Sequence, residues 1–201
     1  MAELKFKYGT MASGKSLHLL STAHQFKING INYKLLKSSV DTRDNGVISS
    51  RIGIEEPCIT INPGDNIWSF IQPLTTSNVK WLLVDEAQFL TTSQVDELAY
   101  FVDKYGINVI CYGLRTDYQT HLFEGSKRLF EIADSFEELP SYCECGTKNS
   151  VNARIDNNGD IDFTDGDQIE IGGDSRYKSM CRRCYTTKLY DTITLAEEID
   201  E

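Results

Sequence analysis

Leu4-Lys5-Phe6-Lys7-Tyr8-Gly9-Thr10-Met11-Ala12-Ser13-Gly14-Lys15-Ser16-Leu17-His18-Leu19-Leu20 is the stretch that decides how this chain is read. Its first five residues alternate apolar and polar, the period of a strand, whereas Ser16 to Phe26 has apolar residues at the i, i+3, i+4 spacing of a helix. Between them Gly9 to Ser16 fits G-x-x-x-x-G-K-[ST], in the strand-then-helix context that this pattern requires. A glycine-bearing turn can aim successive backbone N–H groups at phosphate oxygens above a helix N-terminus. Lys15 adds a positive charge near the β and γ phosphates, and Ser16 offers a hydroxyl to Mg²⁺. Gly9, Thr10, Met11, Ala12, Ser13, Gly14, Lys15 and Ser16 are therefore the candidate binding loop for the phosphates of ATP.

Strand-like runs follow at Tyr33 to Lys37, Cys58 to Ile61, Trp81 to Val84 and Val109 to Tyr112, with helical patterns at Asn66 to Gln72, Ser93 to Tyr105 and Gly125 to Ile132. Strands alternating with helices predict an α/β fold, a mostly parallel sheet covered on both faces. Such sheets bind ligands beyond the carboxyl ends of their strands, which directs attention to the residues after Tyr8, Val84 and Tyr112. After Val84 come two adjacent carboxylates in Trp81-Leu82-Leu83-Val84-Asp85-Glu86-Ala87-Gln88-Phe89, a Walker B pattern. Asp85 is placed to hold the magnesium shell beside Ser16. Strand alternation turns Glu86 away from Asp85, toward whatever lies across from the γ-phosphate, and makes it the candidate general base.

With 20 Lys plus Arg against 30 Asp plus Glu, the net charge of −10 supplies no general basic surface for nucleic-acid phosphates. That balance, and the absence of room for a second motor domain in 201 residues, also excludes reading Asp-Glu-Ala-Gln as a helicase motif. No run reaches the ~18 apolar residues of a membrane span, and Met1-Ala2-Glu3-Leu4-Lys5 lacks the regions of a secretory leader, so a cytoplasmic location without membrane contact is expected.

The six cysteines are then metal ligands, packed thiols or nucleophiles rather than a disulfide framework. Cys143-Glu144-Cys145 and Cys181-Arg182-Arg183-Cys184 suit a closed, structural Zn²⁺ site of four thiolates, although the C-x-C half leaves open whether both Cys143 and Cys145 coordinate. Cys58 and Cys111 fall in strand-like runs and read as core residues. His18, His24 and His121 have no paired spacing and read as surface or packing residues. The character of the chain changes near Pro140. Residues 1–139 form the expected nucleotide-binding core, 140–186 a small zinc-bearing β appendage around Asn157 and Asn158, and 187–201 an acidic tail that frays or forms a short helix.

From Phe6 to about Tyr185 the chain resembles the type II, cytosolic-type thymidine kinases. The resemblance rests on Gly9 to Ser16, Asp41-Thr42-Arg43, Val84 to Phe89, Tyr112-Gly113-Leu114-Arg115-Thr116-Asp117-Tyr118, Ile171-Gly172-Gly173 followed by Tyr177, and the paired cysteines, in that order. It implies transfer of the γ-phosphoryl group of ATP to the 5′-hydroxyl of thymidine or deoxyuridine. It also implies a RecA-like core, a zinc-bearing lasso closing over the nucleoside, a homotetramer and feedback inhibition by dTTP. By the same resemblance Glu86 is the proton acceptor, and Asp41, Arg43, Asp85 and Gln88 join the ATP and Mg²⁺ site. Tyr118 and Tyr177 flank the nucleoside, Met11, Leu114, Phe89 and Phe123 surround the base, and the backbone of Gln168, Ile169, Glu170, Ile171 and Gly172 reads its edge. Arg51 departs from the family pattern, since Ser49-Ser50 precede it where many members have His-Asp. Two other functions fit the motifs: a kinase of another deoxynucleoside, and an ATP-hydrolysing switch signalling through the appendage.

Overall fold

A computed structural model describes residues 1–41, 46–75, 78–156, 159–162 and 176–199, with side chains for all of these except 74–75 and 191–199. Its centre is a six-stranded sheet of β1 (Leu4–Gly9), β2 (Tyr33–Ser38), β5 (Ile59–Ile61), β6 (Trp81–Asp85), β7 (Asn108–Leu114) and β8 (Ser135–Glu138). The spatial order is β5-β2-β6-β7-β1-β8, and every pairing is parallel. One strand, β7, separates the strand of the phosphate loop from the strand of the paired carboxylates, the RecA-like arrangement.

Side chains that alternate along these strands feed two separate cores. Leu36, Leu82, Val84, Val109 and Cys111 face α2 (Ile67–Thr75), α3 (Thr92–Tyr105) and α4 (Glu124–Ile132), where Ile67, Ile71, Val95, Leu98, Phe101 and Leu129 cover them. Their immediate neighbours Leu35, Leu83, Ile110 and Tyr112 face the opposite way, against Leu19, Leu20 and Ala23 of α1 (Lys15–Ile28). Because both faces are buried, the strands read as continuous apolar runs. α3 is started by a capping box, with the Thr91 side chain accepting from the Gln94 backbone and the Gln94 side chain accepting from the Thr91 backbone, and it ends on Gly106 at φ 64°.

Three features lie beyond the sequence expectation. β3 (Val47–Ser49) and β4 (Glu55–Pro57) pair as a small antiparallel hairpin whose Ile48 is buried under α1. β8 extends the sheet past β1 through residues too polar to look like a strand. In place of a frayed tail or short helix, α5 runs over Arg182–Ile199 and so begins inside the second cysteine pair. Cys111 is buried as expected, whereas Cys58 sits just before β5, half-buried against the second core.

In the appendage β9 (Val151–Arg154) pairs antiparallel with β10 (Tyr177–Met180). A single bridge, Ile155 to Ile161, closes the turn that was expected around Asn157 and Asn158, two residues that themselves lie outside the described ones. Gln168, Ile169, Glu170, Ile171, Gly172 and Gly173 also lie outside them, as does Arg43. Among the described residues no helix is long and apolar enough to cross a membrane.

Candidate active site

The phosphate loop leaves β1 at Gly9 and enters α1 through Gly14, whose φ of 78° lies in the left-handed region open to glycine. Lys15 is folded back on the turn, donating from Nζ to the Thr10 carbonyl at 2.8 Å. The first turn of α1 passes over β7, so that Ser16 Oγ donates to Asp85 Oδ2 at 2.9 Å. The hydroxyl and carboxylate predicted to share a metal shell are thus in contact at the carboxyl end of the sheet. Asp85 is 3% exposed. Burial, then the charge of Glu86, push its carboxyl up to about 7, against the pull of the Ser16 hydrogen bond and the Lys15 charge. A divalent cation beside this carboxylate would offset that burial, and the Ser16–Asp85 pair has the oxygen donors that Mg²⁺ prefers.

β6 ends at Asp85, and Glu86 diverges from it for a reason other than strand alternation. Glu86 adopts φ 51° and ψ 39°, a left-handed conformation that is uncommon for a non-glycine residue and held only by its surroundings. Gln88 supplies part of that hold. Its Nε2 donates to Glu86 Oε2 at 2.6 Å, while its Oε1 accepts from the Leu114 backbone N–H at 3.0 Å. The amide therefore braces the end of β6 against the end of β7. Gly113 makes room for it, since a Cβ there would lie 2.8 Å from Gln88 Oε1 and 3.0 Å from Gln88 N. Gln88, expected among the ATP-binding residues, has both ends of its amide engaged in this brace.

Asp41, just beyond β2, forms an ion pair of 3.0 Å with Lys37, and both side chains are nearly inaccessible. Arg51 is exposed at the tip of the β3–β4 hairpin.

Of the residues expected around the nucleoside, Leu114 ends β7, Phe89 closes the short helical turn Ala87–Phe89, and Phe123 and Tyr118 lie on the chain between β7 and α4. Phe89 and Phe123 meet edge to face with ring centroids 5.7 Å apart. Ser126 Oγ donates to the Leu114 carbonyl, fixing the end of β7 against α4. Tyr118 is buried, and the Arg154 guanidinium lies 4.1 Å from its ring centroid. Tyr177 stands opposite Arg154 in the β9–β10 register, so the two predicted tyrosines flank this arginine. Arg154 also pairs with Asp162 at 3.0 Å.

Cys143, Cys145, Cys181 and Cys184 bring their Sγ atoms within 4.8 Å of one another, with Cys145 and Cys181 3.6 Å apart. Zn–S bonds of about 2.3 Å arranged tetrahedrally require S···S edges of about 3.8 Å, so the cluster has the dimensions of a four-thiolate zinc site. Cys143 and Cys145 sit on a tight turn in which Gly146 N donates to the Cys143 carbonyl at 2.8 Å. Hydrogen bonds from Thr147 to Cys145 bring that thiol down to about 6, favouring the thiolate that binds metal. All four cysteines, Cys143 and Cys145 both included, are drawn together.

Sequence reasoning missed Asn152, Ser179, Arg154 and Lys37. Each is a polar residue inside or beside a strand, and the signal that singles it out is the company it keeps in three dimensions.

A phosphate loop on a RecA-like sheet, with an Asp-Glu pair at the end of the strand one removed from its own, defines a P-loop nucleotide-binding protein. A family model for thymidine kinase matches residues 2–185. Thymidine kinases of Zymomonas mobilis, Rhodopirellula baltica and Shewanella oneidensis are 45%, 41% and 40% identical to it, over 94%, 94% and 95% of this chain and 98%, 90% and 100% of theirs. The chain belongs to the thymidine kinase family of enzymes.

Proposed function

We propose that this chain transfers the γ-phosphoryl group of ATP to the 5′-hydroxyl of thymidine, and of deoxyuridine, giving the nucleoside monophosphate and ADP in pyrimidine deoxynucleotide salvage. The observation that carries the reading is the meeting of Ser16, Asp85 and Glu86 at one end of the sheet, with Tyr118, Phe89 and Phe123 beyond it. The loop Gly9 to Ser16 binds the triphosphate, and Lys15 leaves its hydrogen bond to Thr10 to meet the phosphates. Ser16 and Asp85 would hold Mg²⁺, which when bound neutralises charge on the phosphates. Glu86, steadied by Gln88, accepts the proton of the 5′-hydroxyl as that oxygen attacks in line. By likeness to the family, Asp41 and Arg43 are assigned to binding the nucleotide, and Gln168 to Gly172 to binding the nucleoside. Positioning supplies most of the rate, as in other phosphoryl transfers.

A structural zinc on the four thiolates ties β9, β10 and the start of α5 into one module, which would be too small to bury an adequate core alone. By likeness to the family the enzyme is a cytoplasmic homotetramer inhibited by dTTP. The test is ADP release from Mg-ATP with a panel of nucleosides, and a product mass for each. Phosphate gained by thymidine and deoxyuridine alone supports the assignment; equal ADP release without nucleoside refutes it in favour of a hydrolase.

A further inference from the structure

The phosphate loop is not held by the core alone. Met11, its third residue, donates its backbone N–H to Asn152 Oδ1 at 2.7 Å, and its carbonyl accepts from Ser179 Oγ at 2.7 Å. Asn152 and Ser179 are directly opposed on β9 and β10, so their side chains leave the ribbon on the same face. Asn152 is 3% exposed, and its Nδ2 donates to the Thr116 carbonyl at 3.3 Å. With a backbone donor on one side and a carbonyl on the other, only one orientation of this amide satisfies both. Thr116 opens the loop that carries Tyr118, so one buried side chain joins the phosphate loop, the nucleoside-side loop and the cysteine-bearing module.

The peptide held in this way is a strained one. Ala12, next to Met11, has φ 61°, a left-handed conformation that an L residue keeps only when its surroundings impose it. Binding phosphate through backbone N–H groups rewards a loop already in its bound shape, because ordering it on binding would subtract from affinity.

We propose that Asn152 and Ser179 are positioning residues of the phosphate loop: by engaging both backbone polar groups of Met11, they make ATP-phosphate binding on the core depend on the cysteine-bearing module. The inference rests on the nucleotide-binding reading of the loop. Since Met11 also stands among the residues expected around the base, the same two bonds link the sites of both substrates. Neither Asn152 nor Ser179 needs to touch a phosphate.

The experiment is calorimetric titration of purified full-length protein with Mg-ADP in the absence of nucleoside, alongside zinc content for each variant. Ser179→Ala removes the donor to the Met11 carbonyl and should weaken Mg-ADP binding about tenfold, the scale of one lost intramolecular hydrogen bond. Ser179→Thr keeps a hydroxyl and should bind within about threefold of the wild type, with zinc equal in all three proteins. Asn152→Ala, which loses both the Met11 and Thr116 contacts, should bind more weakly still; if it fails to fold, the Ser179 pair decides. Wild-type affinity in a fully zinc-loaded Ser179→Ala protein overturns the proposal. Failure of the wild type to bind Mg-ADP would instead overturn the nucleotide reading on which it rests.

Discussion

Replacing Glu86 by glutamine separates the chemistry of the site from its scaffolding. The Glu86 carboxylate accepts a 2.6 Å hydrogen bond from Gln88 Nε2 through Oε2. A glutamine at 86 can present its carbonyl oxygen to the same donor, so the brace between the ends of β6 and β7 survives. The atom that then faces the acceptor hydroxyl is an amide nitrogen, which cannot take a proton. General-base contributions of 10²–10⁴-fold translate into about 2.7–5.5 kcal/mol of barrier, and kcat for Glu86→Gln is expected to fall by that factor. Nucleotide affinity should change by less than about twofold, because binding and chemistry are separately lost. The contrasting variant is Gln88→Leu. It strips the Leu114 N–H of its acceptor at a buried position and should cost about 1–3 kcal/mol of stability, with a smaller effect on turnover. The assay is single-turnover formation of nucleoside monophosphate under saturating ATP, with thermal unfolding of each variant. A Glu86→Gln enzyme that keeps kcat within about threefold would refute the assignment of Glu86 as proton acceptor.

Three further outcomes are expected. Metal analysis should find zinc in the wild type and little in Cys181→Ser, whose thymidine KM should rise; full zinc loading of that variant would contradict the four-thiolate site. Thr91→Ala breaks the capping box of α3 and should lower stability by about 1 kcal/mol in denaturant titrations, whereas an unchanged midpoint would show that the box contributes nothing. The His18 ring lies 3.2 Å from Tyr112 OH, which Thr22 Oγ1 also approaches, and it feels the charges of Lys7 and Glu137; burial first, then Lys7, lower its pKa below the usual 6.5. The unfolded chain therefore takes up this proton at higher pH than the folded one. Stability present above pH 6.5 should be lost as the pH falls through that value, with the loss ceasing below the folded pKa. In His18→Gln that component of the pH dependence should vanish.

The core was legible because its strands are buried on both faces. Trp81 to Val84 and Val109 to Tyr112 cannot be read as anything but core, and Leu82 and Val84 indeed join one cluster while Leu83 joins the other. β8 was not legible, because a strand at the edge of the sheet has only one neighbour to satisfy. Ser135-Phe136-Glu137-Glu138 pairs with β1 alone, leaves Phe136 about half exposed and places Glu137 on Lys7 at 2.8 Å. The β3–β4 hairpin escaped for a similar reason: its three-residue strands carry one buried side chain, Ile48, too little to set a period. Length also hid α5, whose cysteine-bearing first turn reads as a metal knuckle before it reads as a helix.

The site divides along a different line. Residues proposed to meet phosphate or metal are constrained by local backbone geometry, so Gly9 to Ser16 and the cysteine pairs announce themselves by spacing. Asp85 and Glu86 do so by their place at the end of an apolar strand. Residues that hold those groups in position act across long sequence separations, and nothing in their neighbours betrays them. Asn152 is 141 residues from the Met11 it binds, and Ser179 is 168 residues from it. Each looks, in sequence, like a polar residue on the wet side of a short strand. Burial reverses that reading: a 3% exposed amide satisfied by the backbone of two other segments has been withdrawn from water to organise them. The polar contacts between module and core follow the same plan, with Thr10 Oγ1 at 2.7 Å from Ser141 Oγ and Arg115 donating to the Ser150 carbonyl at 2.9 Å. An interface built from such bonds is directional, so it can fix the register of the module on the phosphate loop where an apolar contact would let it slide.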